Sequence, residues 1–330
     1  MYAYHADMNF LRVTDLTPAR LDELLDLAAA MKVEPNGWRR ALQGQTLALS
    51  FDKPSTRTRT SFAAAAWRLG MLPLELRADE LQLGRGESLE DTARALSGYV
   101  SAIVVRTHVQ QTLETLAAAA SVPVVNALTD EHHPCQALAD LLTLKERYGG
   151  LAGLKLAYVG DGNNVAHSLL EAGALAGVRV TVASPEGYRP HPDVVRAARA
   201  AGGSVELTDD PVAAVDGAHA VYTDTWVSMG QDAERETRLE DLAPYRLDER
   251  LLSHARPDAV VLHCLPAHRG EEIAADVLDG PRSVVWEQAA NRLPTQQALL
   301  HLLLVTWTRA DDEPVDLPDA PGVRRVQAIA

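Results

Sequence analysis

Ser50-Phe51-Asp52-Lys53-Pro54-Ser55-Thr56-Arg57-Thr58-Arg59-Thr60-Ser61-Phe62 joins two kinds of periodicity. Before it, Thr46 to Phe51 (TLALSF) is an apolar run of strand length; after it, Phe62, Ala63, Ala66, Trp67 and Leu69 recur at helical spacing. Ser55 to Arg59 therefore stands where a strand passes into a helix. The first N–H groups of a helix lack internal partners and carry the positive end of its dipole, so anions bind there. Ser55, Thr56 and Thr58 add hydroxyl donors, while Arg57 and Arg59 add planar guanidinium forks suited to phosphate oxygens. A Ser/Thr cap followed by solvated arginines is the plainer account of such a junction. Five consecutive phosphate-suited side chains after a strand favour a phosphate site instead.

On the amino-terminal side, Thr17 before Pro18, with Leu21, Leu24, Leu25 and Leu27 on one face, marks an opening helix within Asn9 to Met31. On the other side, Leu72 to Leu76 reads as a strand and Leu81 to Ser88 as a Gly-punctuated loop; a helix then starts near Leu89. Ala102 to Val105 is a buried strand with Arg106 at its carboxyl end. Ligands of open α/β sheets collect at such ends, which places Arg106 to join Arg57 on one anion, although a solvated loop arginine would look the same. Val122 to Val125 repeats the strand pattern. His133-Pro134-Cys135-Gln136 then opens a long amphipathic helix that runs through Tyr148 to Gly149-Gly150 and connects two domains. Its His and Gln suit a carbonyl or amide group held at the helix terminus; a capping or core histidine remains the alternative.

From Leu151 a second α/β unit begins. Gly160-Asp161-Gly162-Asn163-Asn164 looks like a dinucleotide fingerprint, but the third Gly is replaced near Val165 and Ala166. The next strand also lacks an acidic end, so a nicotinamide-dependent oxidoreductase is disfavoured. Apolar runs at Val178 to Val182, Ala218 to Tyr222, Ala259 to Leu262 and Ser283 to Trp286 read as further strands with helical stretches between them. That alternation predicts parallel sheets covered by helices on both faces. His132, His133, His263, Cys264 and His268 could suggest a metal, yet no Cys-x-x-Cys or His-x-x-x-His pair supports a closed site.

The 330 residues are too many for one small core, and an apolar fraction of 47% suits two α/β domains. A net charge of -14 argues against nucleic acid or an anionic membrane as partner, so an anionic substrate requires a local basic pocket. Two cysteines, Cys135 and Cys264, exclude a disulfide framework and fit a reducing cytoplasm. The start lacks a signal-peptide pattern, no apolar stretch reaches membrane-spanning length, and a cytoplasmic location is the expectation.

STRTR at Ser55 to Arg59, HPCQ at His133 to Gln136, GDGNN at Gly160 to Asn164, DTWVSMG at Asp224 to Gly230, HCLP at His263 to Pro266 and Asn291-Arg292 together resemble the ornithine carbamoyltransferase family over nearly the whole chain. STRTR and HPxQ belong to carbamoyltransferases at large; SMG with HCLP narrows the match to the ornithine branch. The resemblance implies two doubly wound parallel-sheet domains joined by helices, with the final helix returning to the first. Residues 1–132, completed by a helix over about 293–310, would bind carbamoyl phosphate; 133–150 would connect, 151–292 would bind L-ornithine, and 311–330 would be a tail. No cofactor or metal is implied. A homotrimer, or an assembly of trimers, is.

Carried over residue by residue, Ser55, Thr56, Arg57, Thr58 and Arg106 would hold the phosphate, and His133 and Gln136 the carbamoyl group. Gln82 lies in the loop that, in relatives, enters a neighbouring subunit's site. Asn164, Asp224, Ser228 and Met229 would hold ornithine, while Cys264, Leu265 and Arg292 would lie between the substrates. Arg57, Arg106, His133 and Cys264 are the expected catalytic set. The family commonly has Glu before the Asn-Arg pair, where this chain has Ala290, which bears on how Arg292 is braced. The implied chemistry is attack of the neutral δ-amino group on the carbamoyl carbon, giving citrulline and phosphate in arginine biosynthesis or the reverse arginine deiminase route. Acceptors such as aspartate, putrescine or N-acylornithine would share the phosphate half. His263, next to Cys264, is expected to point to the opposite face of its strand, which leaves Cys264 a polar contact rather than a nucleophile.

Overall fold

The computed structural model describes residues 9–53, 55–77, 86–228, 230 and 232–306. In the first half, α1 (Pro18–Val33) precedes β1 (Thr46–Phe51), α2 (Arg57–Leu69), β2 (Leu72–Arg77), α3 (Leu89–Ser97), β3 (Ala102–Arg106), α4 (Gln110–Ala119) and β4 (Val124–Leu128). The strands form one parallel sheet in the order β2-β1-β3-β4. β1, β3 and β4 are buried on both faces, which is why they read as continuous apolar runs. β2 lies at the edge, where Leu72 and Leu74 are exposed.

The connector α5 (Pro134–Tyr148) leads to β5 (Lys155–Val159), α6 (Asn164–Ala176), β6 (Arg179–Ala183), α7 (Pro192–Ala200), β7 (Val205–Thr208), α8 (Pro211–Val215) and β8 (Ala220–Tyr222). Then come α9 (Arg235–Leu242), α10 (Glu249–Leu252), β9 (Val260–Leu262), α11 (Ala275–Leu278) and α12 (Val285–His301). The second sheet is also parallel, in the order β7-β6-β5-β8-β9. From it α12 returns to the first half and packs on α1, α2 and α5. The architecture is α/β with two doubly wound sheets, as the alternation of runs predicts.

Local chemistry sets the helix limits. Thr17 Oγ1 accepts from Arg20 N at 3.2 Å with Pro18 in the first turn, and α5 ends at Gly149 in the left-handed region. Gly162 serves packing rather than a nucleotide: a Cβ there would overlap the backbone nitrogen of Pro190. On α6, Glu171 accepts from Val13 N, in the segment before α1, at 3.2 Å and stands 3.6 Å from His132 Nδ1, just ahead of α5. The core runs through both halves; truncating a fully buried side chain such as Phe62 to alanine would cost about 3–5 kcal/mol.

Three expectations require correction. Ser283 to Trp286 is not a strand: Ser283 makes one isolated bridge to Val261, and Val285 already begins α12. A four-residue apolar run has no period that separates a strand from the first turn of a helix. β4 starts at Val124 rather than Val122, so its carboxyl end reaches Leu128. α5 is buried on all sides from Pro134 to Leu144 rather than amphipathic, because the helices joining the two halves enclose it.

In each sheet the strand order reverses once, between β1 and β3 and between β5 and β8. Those are the positions where doubly wound sheets open a crevice at the strand ends.

Candidate active site

One cavity of about 590 Å³ is lined from both reversals. Ser55 and Thr56 after β1 and Arg106 at the end of β3 face it from the first half; Asn164 after β5 and Asp224 after β8 face it from the second. Arg57, Thr58, His133, Ser228, Cys264, Leu265 and Arg292 complete the predicted set in its wall. Gln136 does not line it. Gln82 and Met229 lie outside the described residues.

At the phosphate-suited end, Thr56 occupies the cap position of α2 without a side-chain capping bond, so its hydroxyl is not consumed by the helix. Arg57 has no hydrogen bond or ion pair with any described residue. Arg106 is buried and donates to Ser55 Oγ at 3.4 Å. Arg292 is almost fully buried and donates to Gln136 Oε1 at 3.0 Å and Thr58 Oγ1 at 2.8 Å, both neutral acceptors. Those two bonds brace Arg292 without any contribution from Ala290. None of these three arginines forms an ion pair with a described carboxylate. Three guanidinium groups without a counterion around one cavity repel one another, and an anion relieves that repulsion. Burial, then Arg292 and Arg57, lower Arg106 to about 10, which leaves it a cation at neutral pH.

Arg59 does not join them. Two residues along a helix turn the side chain to the far side, and Arg59 pairs with Glu75 at 3.6 Å over the ring of Phe51. His133 sits at the start of α5 with its backbone N–H on Ser168 Oγ at 2.8 Å and a buried Nδ1 that has no partner. Burial, helped by Arg292, Arg106 and Arg57, drives its pKa well below the ordinary range, so the imidazole is neutral.

The other end is acidic. Asp224 is 5% exposed and accepts from Cys264 Sγ at 2.8 Å, Asn163 Nδ2 at 2.7 Å and Thr225 N at 2.8 Å. Burial, then the Asp224 charge, push the Cys264 thiol pKa well up, so it is a protonated donor and not a thiolate. Asn164 donates to Thr129 O at 2.6 Å, linking α6 to the loop after β4. Leu265 has φ of 58° and precedes a cis proline, Pro266.

His263 does not turn to the opposite side as expected, because β9 has ended at Leu262 and strand alternation no longer applies. A ring nitrogen of His263 comes within 4.8 Å of Cys264 Sγ and an Asp224 oxygen. Both ring nitrogens are nevertheless engaged: Nδ1 accepts from Leu265 N at 2.9 Å, which leaves the Nε2 proton for Glu272 at 3.1 Å. His263 therefore has no lone pair free to activate the thiol or bind a metal.

Sequence reasoning missed several residues of the wall or just behind it. Lys53 is buried and paired with Asp130; Asn163 orients Asp224; Thr225 Oγ1 lies 3.2 Å from His268 Nδ1. Lys53, two residues before Ser55, carried the clearest signal, a lysine following an apolar strand.

The chain matches the carbamoyl-phosphate-binding domain of the aspartate/ornithine carbamoyltransferases over residues 8–146 and their Asp/Orn-binding domain over 152–303. It is 56% identical over 303 residues to an ornithine carbamoyltransferase of Parafrankia sp., covering 90% of this chain and 96% of the relative. One from Acidothermus cellulolyticus is also 56% identical, over 302 residues, with the same shares covered. The solved ornithine carbamoyltransferase of Pyrococcus furiosus superposes with a TM-score of 0.86 at 50% identity, covering 90% of this chain and 96% of that one. A pocket with counterion-free arginines at one end and a buried aspartate at the other, on this two-sheet frame and at these identities, places the chain in the aspartate/ornithine carbamoyltransferase family.

Proposed function

We infer that the protein transfers the carbamoyl group of carbamoyl phosphate to the δ-amino group of L-ornithine, releasing L-citrulline and phosphate in arginine metabolism. The observation that carries this is the polarity of the cavity, with Arg57, Arg106 and Arg292 at one end and Asp224 with Cys264 at the other. A phosphate fits the first and a cationic amine the second; aspartate as acceptor would meet a like charge at Asp224.

Ser55, Thr56, Arg57, Thr58 and Arg106 hold the phosphate in this reading, with Gln82 as a further ligand of carbamoyl phosphate. His133 and Gln136 serve the carbamoyl group, Gln136 acting from behind Arg292. Neutral His133, Arg57 and Arg106 donate to the oxygens on which charge develops, each contributing about 3 kcal/mol to the transition state. Asn164, Asp224, Ser228 and Met229 receive ornithine. Asp224 and the Cys264 thiol orient its nitrogen beside the carbamoyl carbon, and Leu265 closes the wall between the substrates. Residues 1–132 with the returning helix form the carbamoyl-phosphate domain, and 151–292 the ornithine domain. The assembly proposed is a homotrimer or a group of trimers, working in the cytoplasm, where Cys264 stays reduced.

Carbamoylation assayed with ornithine, aspartate, putrescine and N-acetylornithine tests the reading. Citrulline formation from ornithine in large excess over the other three products supports it; preference for any of the other three overturns it.

A further inference from the structure

Asp140 does not line the cavity, yet it is fully buried in the polar seam between α5 and α12, the helices that join the two halves. Its Oδ1 accepts from two amides, Gln136 Nε2 at 2.8 Å and Gln288 Nε2 at 2.7 Å. An amide whose NH2 group is taken by a carboxylate must turn its carbonyl oxygen away from it. Gln136 accordingly presents Oε1 to Arg292, whose other nitrogen reaches Thr58. Gln288 presents Oε1 to the N–H of His263 at 2.9 Å, one residue before Cys264, and its second N–H goes to the Tyr222 hydroxyl at 3.0 Å.

One carboxylate thus orients an amide toward the phosphate-side cation and a second toward the backbone that carries the ornithine-side thiol. We propose that Asp140 is a positioning residue for carbamoyl transfer, fixing Arg292 and Cys264 relative to each other through Gln136 and Gln288. This rests on the function inferred above. Packing alone does not call for an acid here, since an apolar side chain, with apolar residues in place of the two glutamines, would fill the seam with no charge to desolvate. Burial pushes the Asp140 carboxyl up to about 7 despite the Gln136 and Gln288 amides and the neighbouring Tyr222 hydroxyl. The group is kept at a cost to stability, as expected of a residue that orients others.

The test compares the parent with Asp140→Leu, Asp140→Asn and Gln288→Leu, measuring citrulline formation and thermal midpoint for each. Asn keeps the size of Asp and an oxygen that can accept from both amides; Leu is bulkier and keeps no acceptor. For Asp140→Leu, kcat per folded enzyme is expected to fall about 10²-fold, the effect of displacing a reacting group by an ångström, with a smaller rise in KM for carbamoyl phosphate as Arg292 loses its brace. Asp140→Asn should restore most of the loss. Equal kcat in parent and Asp140→Leu overturns the proposal, as does equal damage from Leu and Asn. If Asp140→Leu does not fold, Gln288→Leu decides: kcat/KM for ornithine should fall while thermal stabilisation by carbamoyl phosphate persists, and an unchanged kcat/KM overturns the proposal. A parent that makes no citrulline sinks the functional reading instead.

Discussion

The Cys264 thiol donates to Asp224 Oδ1 across 2.8 Å, joining the ends of β8 and β9 at the acidic end of the cavity. Replacing it by serine keeps a donor but shortens the reach. Cys264→Ser is expected to lower kcat/KM for ornithine about tenfold, equivalent to about 1.4 kcal/mol, and to leave carbamoyl phosphate affinity unchanged. Mass spectrometry of the parent during turnover should show no carbamoyl thioester on Cys264, since a thiol with a raised pKa is a poor nucleophile.

Arg57 and Arg59 leave α2 in different directions, and their variants should separate accordingly. Arg57→Leu removes a guanidinium aimed into the cavity and is expected to reduce kcat/KM by about 10²–10³-fold with a thermal midpoint close to the parent's. Arg59→Leu loses only a partly exposed pair to Glu75 and a contact with Phe51, so activity should stay within about threefold. Steady-state kinetics on the two purified variants checks both.

The pH profile should carry the signature of the acceptor. An alkyl amine has a free pKa near ~10.4, so the fraction of neutral ornithine nitrogen rises about tenfold per unit through the neutral and alkaline range. The expected outcome is kcat/KM for ornithine climbing with pH from about 7 to 9. His133, neutral because its pKa is depressed, should add no acid limb near the ordinary histidine value. A flat profile would rule out the deprotonation step.

Glu171 offers a prediction about stability alone. Burial raises its carboxyl from 4.5 to about 7, and burial lowers neighbouring His132 to about 3, so near pH 6 the pair is a protonated acid beside a neutral imidazole and not a salt bridge. The folded state binds the Glu171 proton more tightly than the unfolded chain does. Its stabilising contribution is therefore complete below the unfolded value of 4.5 and is lost as pH rises through about 7. Glu171→Gln should gain thermal midpoint relative to the parent at pH 8 compared with pH 5. A constant difference across that range would show that Glu171 ionises alike in both states.

What the sequence disclosed and what it withheld divide by distance along the chain. Ser55 to Thr58 and Arg106 were legible because a strand-to-helix junction and a strand end are local patterns with fixed ligand geometry. Asn163 on Asp224, Asp140 on Gln288 and Arg292 on Thr58 were not, since each pair is brought together by helices or strands far apart in the chain. Arg59 misled because adjacency in a motif is not adjacency on a helix surface. β7 escaped notice because VELT is a short, half-exposed strand at the sheet edge.

Arg292 reaches Thr58 from α12, and this has a bearing on biogenesis. The anion pocket opens with residues of α2 but is finished by one translated 234 positions later. A nascent chain halted before α12 would carry STRTR yet lack one of the three cations and the helix that covers α1, α2 and α5. Ligand capture therefore waits on the translation of α12.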